Sequence, residues 1–289
     1  MLGSGVVGMS VGSGLSQINH KVIFYDIDHN RIEVLRSHGL NATDDINAAV
    51  LSSRVSFICV PTPTVRRQID LSYIKSVSRK LADALKMKEG YHLVVVKSTV
   101  LPTTTEKVVI PILKRYSGKK IGRHVGVCVN PEFLTEIHSS WTYDRSLVRD
   151  FFSEPFIVIG EYDRRSGDTL QEIYRHLKSP VVRTDLKTAE MIKYASNCAL
   201  ASKISYWNEI FLISKRLDIN SELVASTVAM DQRIGKYGTV HGKAFGGKCL
   251  PKDLRAFIGF SKRIGHNPRL LSAVEEINLR MALEYGIRQ

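Results

Sequence analysis

The chain has 289 residues, 44% of them apolar and 24% charged, with a formal net charge of +13. No apolar run reaches 18 residues and no charged-then-apolar leader is visible, so a soluble, cytoplasmic protein of one large or two ordinary domains is expected. The basic residues are spread without an arginine-aromatic block, which argues against a nucleic-acid partner and for the handling of anionic nucleotides.

In chain order the first feature is a G-x-G-x-x-G run: Gly3, Gly5 and Gly8, with Ser4, Val6 and Val7 between them. Alone it is weak, because glycine pairs also mark ordinary turns. Its context strengthens it. Lys21 to Tyr25 reads as the next strand and ends in Asp26, 18 residues after Gly8. That is the dinucleotide fingerprint: glycines for close approach of a pyrophosphate to a helix N-terminus, and a carboxylate for the ribose hydroxyls. The acidic residue argues for NAD over NADP, whose 2′-phosphate it repels, while nearby Arg31 argues the other way. The strand that should precede the glycines is reduced to Met1 and Leu2.

Short β-branched or apolar runs at Val55–Val60, His92–Lys97, Val125–Asn130 and Phe156–Gly160 predict buried strands. Helical stretches fall between them near Tyr73–Leu85 and Thr103–Tyr116, the latter interrupted at Pro111. The alternation implies a parallel, doubly wound sheet, whose ligands bind at the carboxyl ends of the strands. Val60, Thr62, Ser98, Thr99 and Glu132 all follow directly on strands and are expected to line one crevice.

From Asp185 to Leu217 the chain lacks proline and glycine and predicts one long helix. Shorter helices are expected at Ser221–Ala229, Pro251–Ile264 and Pro268–Leu283. On the long helix Lys193 and Asn197 are one turn apart and share a face. Two readings stand: a solvated polar face, or a pair looking into the crevice.

The four cysteines (Cys59, Cys128, Cys198, Cys249) contain no Cys-x-x-Cys pair, so neither a disulfide framework nor a metal site is expected. Cys249 differs from the others in context. Gly246 and Gly247 precede it, Pro251 fits the first turn of a helix, and Lys248 and Lys252 flank it. A helix N-terminus and positive charge favour thiolate, the nucleophilic form. Asp253 follows four residues later, placed to orient a water or relay a proton.

Taken together, these motifs resemble the UDP-glucose/GDP-mannose dehydrogenase family. The resemblance rests on Gly3–Gly8, Val60–Pro63, Lys97–Val100, Asn130–Glu136, Lys193–Asn197, Asp231–Gly235 and Phe245–Leu254, in that order. It implies a Rossmann-like sheet domain over 1–183, followed over 184–289 by an all-helical central domain that forms a homodimer. It also implies an NAD-dependent nucleotide-sugar 6-dehydrogenase, which oxidises the C6 alcohol in two steps to a carboxylate, with UDP-glucose as the expected substrate. GDP-mannose is the alternative. A non-catalytic NAD-binding remnant is a reading of another class, and a simple hydroxyacid dehydrogenase has no need of Cys249.

Carried over by position, the resemblance makes Cys249 the covalent nucleophile, with Lys193 and Asn197 holding the oxyanion. Thr99 and Asp253 hold a water, and Glu136 and Glu132 assist. The cofactor falls to Gly3, Gly5, Val6, Val7, Gly8, Asp26, Arg31, Val60, Thr62, Thr99 and Glu136. Substrate contacts fall to Phe133, Leu134, Lys193, Asn197, Tyr237, Gly242, Phe245 and Gly246, and to Arg233, which reaches the neighbouring subunit. The departures are Lys248 for a usual serine, Val240-His241 for proline-glycine, and Ile137 for glycine. The family's third domain has no counterpart here, so a fragment that binds NAD but turns over slowly is expected.

Overall fold

The computed structural model describes residues 1–134, 141–144, 147 and 149–288. They form two compact units: Met1–Pro63 with Asp70–Phe133 and Asp150–Lys193, and Thr64–Ile69 with Leu134–Arg149 and Tyr194–Gln289.

The first unit is built on a sheet whose strands run Val55–Ile58, His92–Val96, Val125–Val129, Ile157–Glu161 and Val181–Asp185 across it. Phe24–Tyr25 and Ala42–Thr43 pair in parallel beside it. Leu2 joins the two parts, bridging both Tyr25 and Ile58 in parallel. Its amide donates to the Phe57 carbonyl at 2.7 Å, and its own carbonyl accepts from the Cys59 amide at 2.8 Å. The first strand is thus reduced as expected, to an isolated bridge at Leu2. One buried residue, hydrogen-bonded on both edges, occupies that slot and satisfies the backbone groups of its neighbours.

Alternate side chains of the central strand face opposite cores. Val94 and Val96 pack with Ile74, Val77, Leu81 and Leu85 of the helix Ser72–Lys86. Leu93 and Val95 pack with Val11 and Leu15 of the helix Val6–Gln17. A strand covered on both faces reads as a continuous apolar run, which is why the periodicity of two is invisible in the sequence. The sheet is parallel except at one step: Val125–Val129 and Ile157–Glu161 pair antiparallel, at Cys128 with Glu161 and Val129 with Gly160. The expected break at Pro111 is corrected. A π-helical turn, Thr105–Val109, runs directly into the α-helix Ile110–Ser117. Pro111 sits in the first turn of that α segment, where its ring and missing N–H are tolerated.

The helix Leu186–Arg216 passes from the first unit into the second. There it packs with Leu250–Arg263 and Arg269–Tyr285, and the unit also holds the helix Ser221–Val228. The core contains Trp141, Cys198, Ala201, Ile204, Phe245, Leu254, Ile258 and Val274. This unit is not wholly helical: Ala244–Phe245 pairs in parallel with Ile287–Arg288, and Thr64–Ile69 forms a hairpin. The hairpin turn places Arg66 and Arg67 at φ of 49° and 61°. Arg67 donates to Glu275 at 2.6 Å, and a Cβ at Gly259 would lie 2.0 Å from the Arg67 carbonyl oxygen. Among the described residues no helix is long and apolar enough to cross a membrane.

Candidate functional site

Each unit carries one local construction. In the first, the turn Gly3–Gly8 links Leu2 to the helix Val6–Gln17. Gly3 has φ of 98°, and a Cβ there would lie 2.8 Å from the Cys59 carbonyl oxygen. At Gly8 it would lie 2.1 Å from the Gly3 carbonyl oxygen. Backbone approach therefore demands both glycines. Gly5 is the N-cap; the first helical turn has no side-chain cap and no acidic residue. A Cβ at Gly5 would meet only the Arg31 guanidinium, at 3.6 Å. Uncapped N–H groups beside a cation, with exposed Val6 and half-buried Val7 on the first turn, fit the pyrophosphate of NAD.

Asp26 follows the strand Phe24–Tyr25. Its Oδ2 accepts from the Ser4 amide at 2.8 Å and hydroxyl at 2.7 Å, and its Oδ1 from the Asp28 amide at 3.2 Å. Partial burial opposes ionisation, but these donors and Arg31, 4.0 Å away, hold the carboxyl below its usual range. Ser4 was not among the expected residues. Its signal was its place between the two glycines, where the side chain can reach the end of the next strand.

The strand-end residues of this unit come together. Thr62 Oγ1 donates to the Thr99 carbonyl at 2.8 Å, and Ser98 Oγ to the Val60 carbonyl at 2.7 Å. Lys97 is structural: its Nζ donates to Asn130 Oδ1 at 3.0 Å and to the Pro131 carbonyl at 3.2 Å. Glu132 is half-buried at the end of its strand, and the Phe133 amide donates to Glu154 at 3.2 Å. Lys193 is buried, with Nζ 5.1 Å from the centroid of the Phe133 ring. The solvated reading of the long helix fails at Lys193 and Asn197, both only 6% exposed. Glu136 lies outside the described residues.

In the second unit Cys249 is the N-cap of the helix Leu250–Arg263, and it is exposed. Burial pushes the thiols of Cys59, Cys128 and Cys198 up to about 12, and the charge of Asp253 adds to this at Cys198. Three cysteines are thus inert core residues, and the fourth stands at a helix start in reach of solvent. Behind it Asp253 is 1% exposed. Its Oδ2 accepts from Asn197 Nδ2 at 2.6 Å and its Oδ1 from Lys252 Nζ at 2.5 Å. Lys252 therefore serves Asp253, and Asp253 orients Asn197.

The other expected substrate contacts are dispersed within this unit. Arg233 is 90% exposed at its side chain and pairs with Asp231 at 2.6 Å. Leu134 and Tyr237 are half-buried, with burial raising the Tyr237 phenol to about 12. The Gly242 amide donates to Asn208 Oδ1 at 2.8 Å. Phe245 is 2% exposed in the core, and a Cβ at Gly246 would lie 2.5 Å from Ile287.

A glycine turn of this kind, opening a helix against a mostly parallel sheet, places the chain among the NAD-binding oxidoreductases. Its residues 33–178 match the NAD binding domain of the UDP-glucose/GDP-mannose dehydrogenase family, and residues 187–280 match that family's central domain. The chain belongs to this family, and NAD is its cofactor. It is 39% identical over 279 residues to the GDP-mannose 6-dehydrogenase of Pseudomonas aeruginosa, covering 89% of this chain and 62% of that relative. A solved structure of a UDP-glucose dehydrogenase from the hyperthermophilic archaeon Pyrobaculum islandicum superposes with a TM-score of 0.89 at 35% identity, covering 98% of this chain and 68% of that one. A ternary complex of GDP-mannose dehydrogenase from Pseudomonas aeruginosa gives 0.75 at 36% identity, again over 98% of this chain and 68% of that one.

Proposed function

We propose that this protein oxidises the C6 alcohol of a nucleotide sugar to the carboxylate, with UDP-glucose as the substrate. The observation that carries the reading is Cys249, the exposed cysteine at a helix N-terminus in a chain whose other three cysteines are buried. NAD, when bound, accepts one hydride in each of the two oxidations. The Cys249 thiolate adds to the aldehyde carbon, forming a C–S bond and placing negative charge on the C6 oxygen. Asn197 gives one amide hydrogen to Asp253, which leaves the other for that oxygen, and Lys193 supplies a cation. Oxidation of the adduct leaves a thioester. Water then attacks the thioester carbon, the C–S bond breaks, and the carboxylate leaves with the thiol restored. Thr99, Glu132 and Glu136 are assigned to the water, and exposed Arg233 to the substrate of a second copy in a dimer.

UDP-glucose is supported by the higher TM-score of the archaeal UDP-glucose dehydrogenase. GDP-mannose is the second reading, favoured by the 39% identity to the Pseudomonas aeruginosa relative. Offering each sugar with NAD and counting NADH per uronate decides between them; two NADH per UDP-glucuronate are expected. Cys249→Ser should bind NAD as the parent does and form no uronate. Ordinary turnover by that variant would end the covalent route.

A further inference from the structure

The polar stripe of the long helix begins one turn before the two residues discussed so far. Glu190, Lys193 and Asn197 stand at i, i+3 and i+7 on Leu186–Arg216, so they share a face. They are 2%, 6% and 6% exposed. Glu190 Oε1 accepts from the Thr105 amide at 2.8 Å. Its second oxygen is buried and has no hydrogen-bond partner. A native fold seldom leaves such an atom unsatisfied without some return.

What Glu190 holds is itself unusual. Thr105 opens the π-helical turn Thr105–Val109, and π turns concentrate at functional positions. Two residues earlier, Thr103 has φ of 74°, a region that β-branched residues rarely enter. Such a conformation persists only where neighbours hold it in place. The segment leading into it carries Ser98 and Thr99, tied to Val60 and Thr62 by side-chain hydrogen bonds.

We infer that Glu190 is a positioning residue: its carboxyl pins the first amide of the π-helical turn to the helix that bears Lys193 and Asn197, and thereby sets the segment 98–104. The pinning stands on its own, whereas its consequence for catalysis rests on the function proposed above for Thr99 and Lys193.

Burial raises the Glu190 carboxyl to about 7; the hydrogen bonding from Thr105 pulls it back, and the neighbouring charge of Glu106 raises it further. On its own helix the nearest charges in sequence are Lys187 and Lys193. A carboxylate is a stronger acceptor than a carboxylic acid and complements the positive end of a helix. Opening the turn to water, however, relieves the larger cost of burying that charge, so the hold on Thr105 weakens as the proton leaves near neutral pH.

Two measurements between pH 6 and 8.5 test this. One is the amide-exchange protection of Thr105, corrected for intrinsic rate, and the other is NAD affinity by titration. In the parent protein protection should fall about tenfold across this range, as opening the turn relieves the burial of the ionised carboxyl, and NAD affinity should fall with it. Glu190→Gln should hold both flat. Glu190→Asp keeps the charge but is too short to reach, so it should lower protection at every pH. A flat profile in the parent, or an unchanged one in Glu190→Gln, overturns the inference. Neither measurement depends on uronate formation, so failure of the covalent route would leave both results readable.

Discussion

Asp26 and Asp253 are both carboxylates beside a glycine-rich helix start, and they do opposite things. Asp26 is partly open, and its Oδ1 carries only the amide of Asp28. Asp253 is closed: both its oxygens are engaged by side chains and its own side chain is 2% exposed. The first accepts three hydrogen bonds yet stays within reach of a ligand, whereas the second accepts two and is closed off while it orients Asn197 and Lys252. A carboxylate next to a reactive residue is therefore not automatically a proton carrier. Its free lone pairs and access to water decide.

If Asp253 is a brace, its loss should be the most damaging change. Asp253→Ala strands a buried amide and an ammonium, at a cost of about 3 kcal/mol, or roughly 6–12 °C in melting temperature; calorimetry reads this. Asp253→Asn should lose less, and equal stability of all three proteins would remove the contrast with Asp26.

Glu190 extends the comparison to a carboxyl with half its acceptors unused. Its folded value of about 7 lies above the ordinary 4.5, so the folded protein binds the extra proton and stability falls as pH rises through that window. The loss is about 2–3 kcal/mol. Glu190→Gln should abolish this decline, which denaturant melts at pH 4.5 and pH 8 will compare.

The glycine turn provides a smaller effect. Gly8→Ala forces a methyl against the Gly3 carbonyl, costing about 2 kcal/mol of stability and weakening NAD binding. Gly246→Ala meets a flexible isoleucine first and should cost about 1 kcal/mol. Titration calorimetry with NAD should register the first change and not the second. Comparable in size is cofactor choice: Asp26→Asn keeps acceptor capacity but drops the charge, and should improve NADP affinity about tenfold. Unchanged NADP affinity would mean that Arg31 already sets the preference.

Much of this was legible in the sequence, for local reasons. Four of the five sheet strands, the long helix and the start of the cysteine helix follow from apolar runs, absent breakers and the position of Pro251, whereas Val181–Asp185 is half-exposed and was not predicted. The turn at Gly3, Gly5 and Gly8 and its neighbour Asp26 stood out because a glycine turn that opens a helix is a contiguous backbone device with fixed spacing. The prominence of Cys249 was readable from the glycines, lysines and proline around it. The comparisons confirm the family and the cofactor.

What only tertiary structure decided involves groups distant along the chain. That Leu2 completes the sheet depends on Tyr25 and Ile58 lying on either side of it. That Lys97 is a strand-end tie depends on Asn130, and that Lys252 serves Asp253 depends on how the helix start packs. The antiparallel step at Ile157–Glu161 leaves no trace in a strand buried on both faces, because either direction requires the same apolar residues. Glu190 looked like an ordinary helix former. Burial and the approach of Thr105, 85 positions away in sequence, change its acidity and give it a role. Desolvation and long-range hydrogen bonds act through space, and no local spacing encodes them.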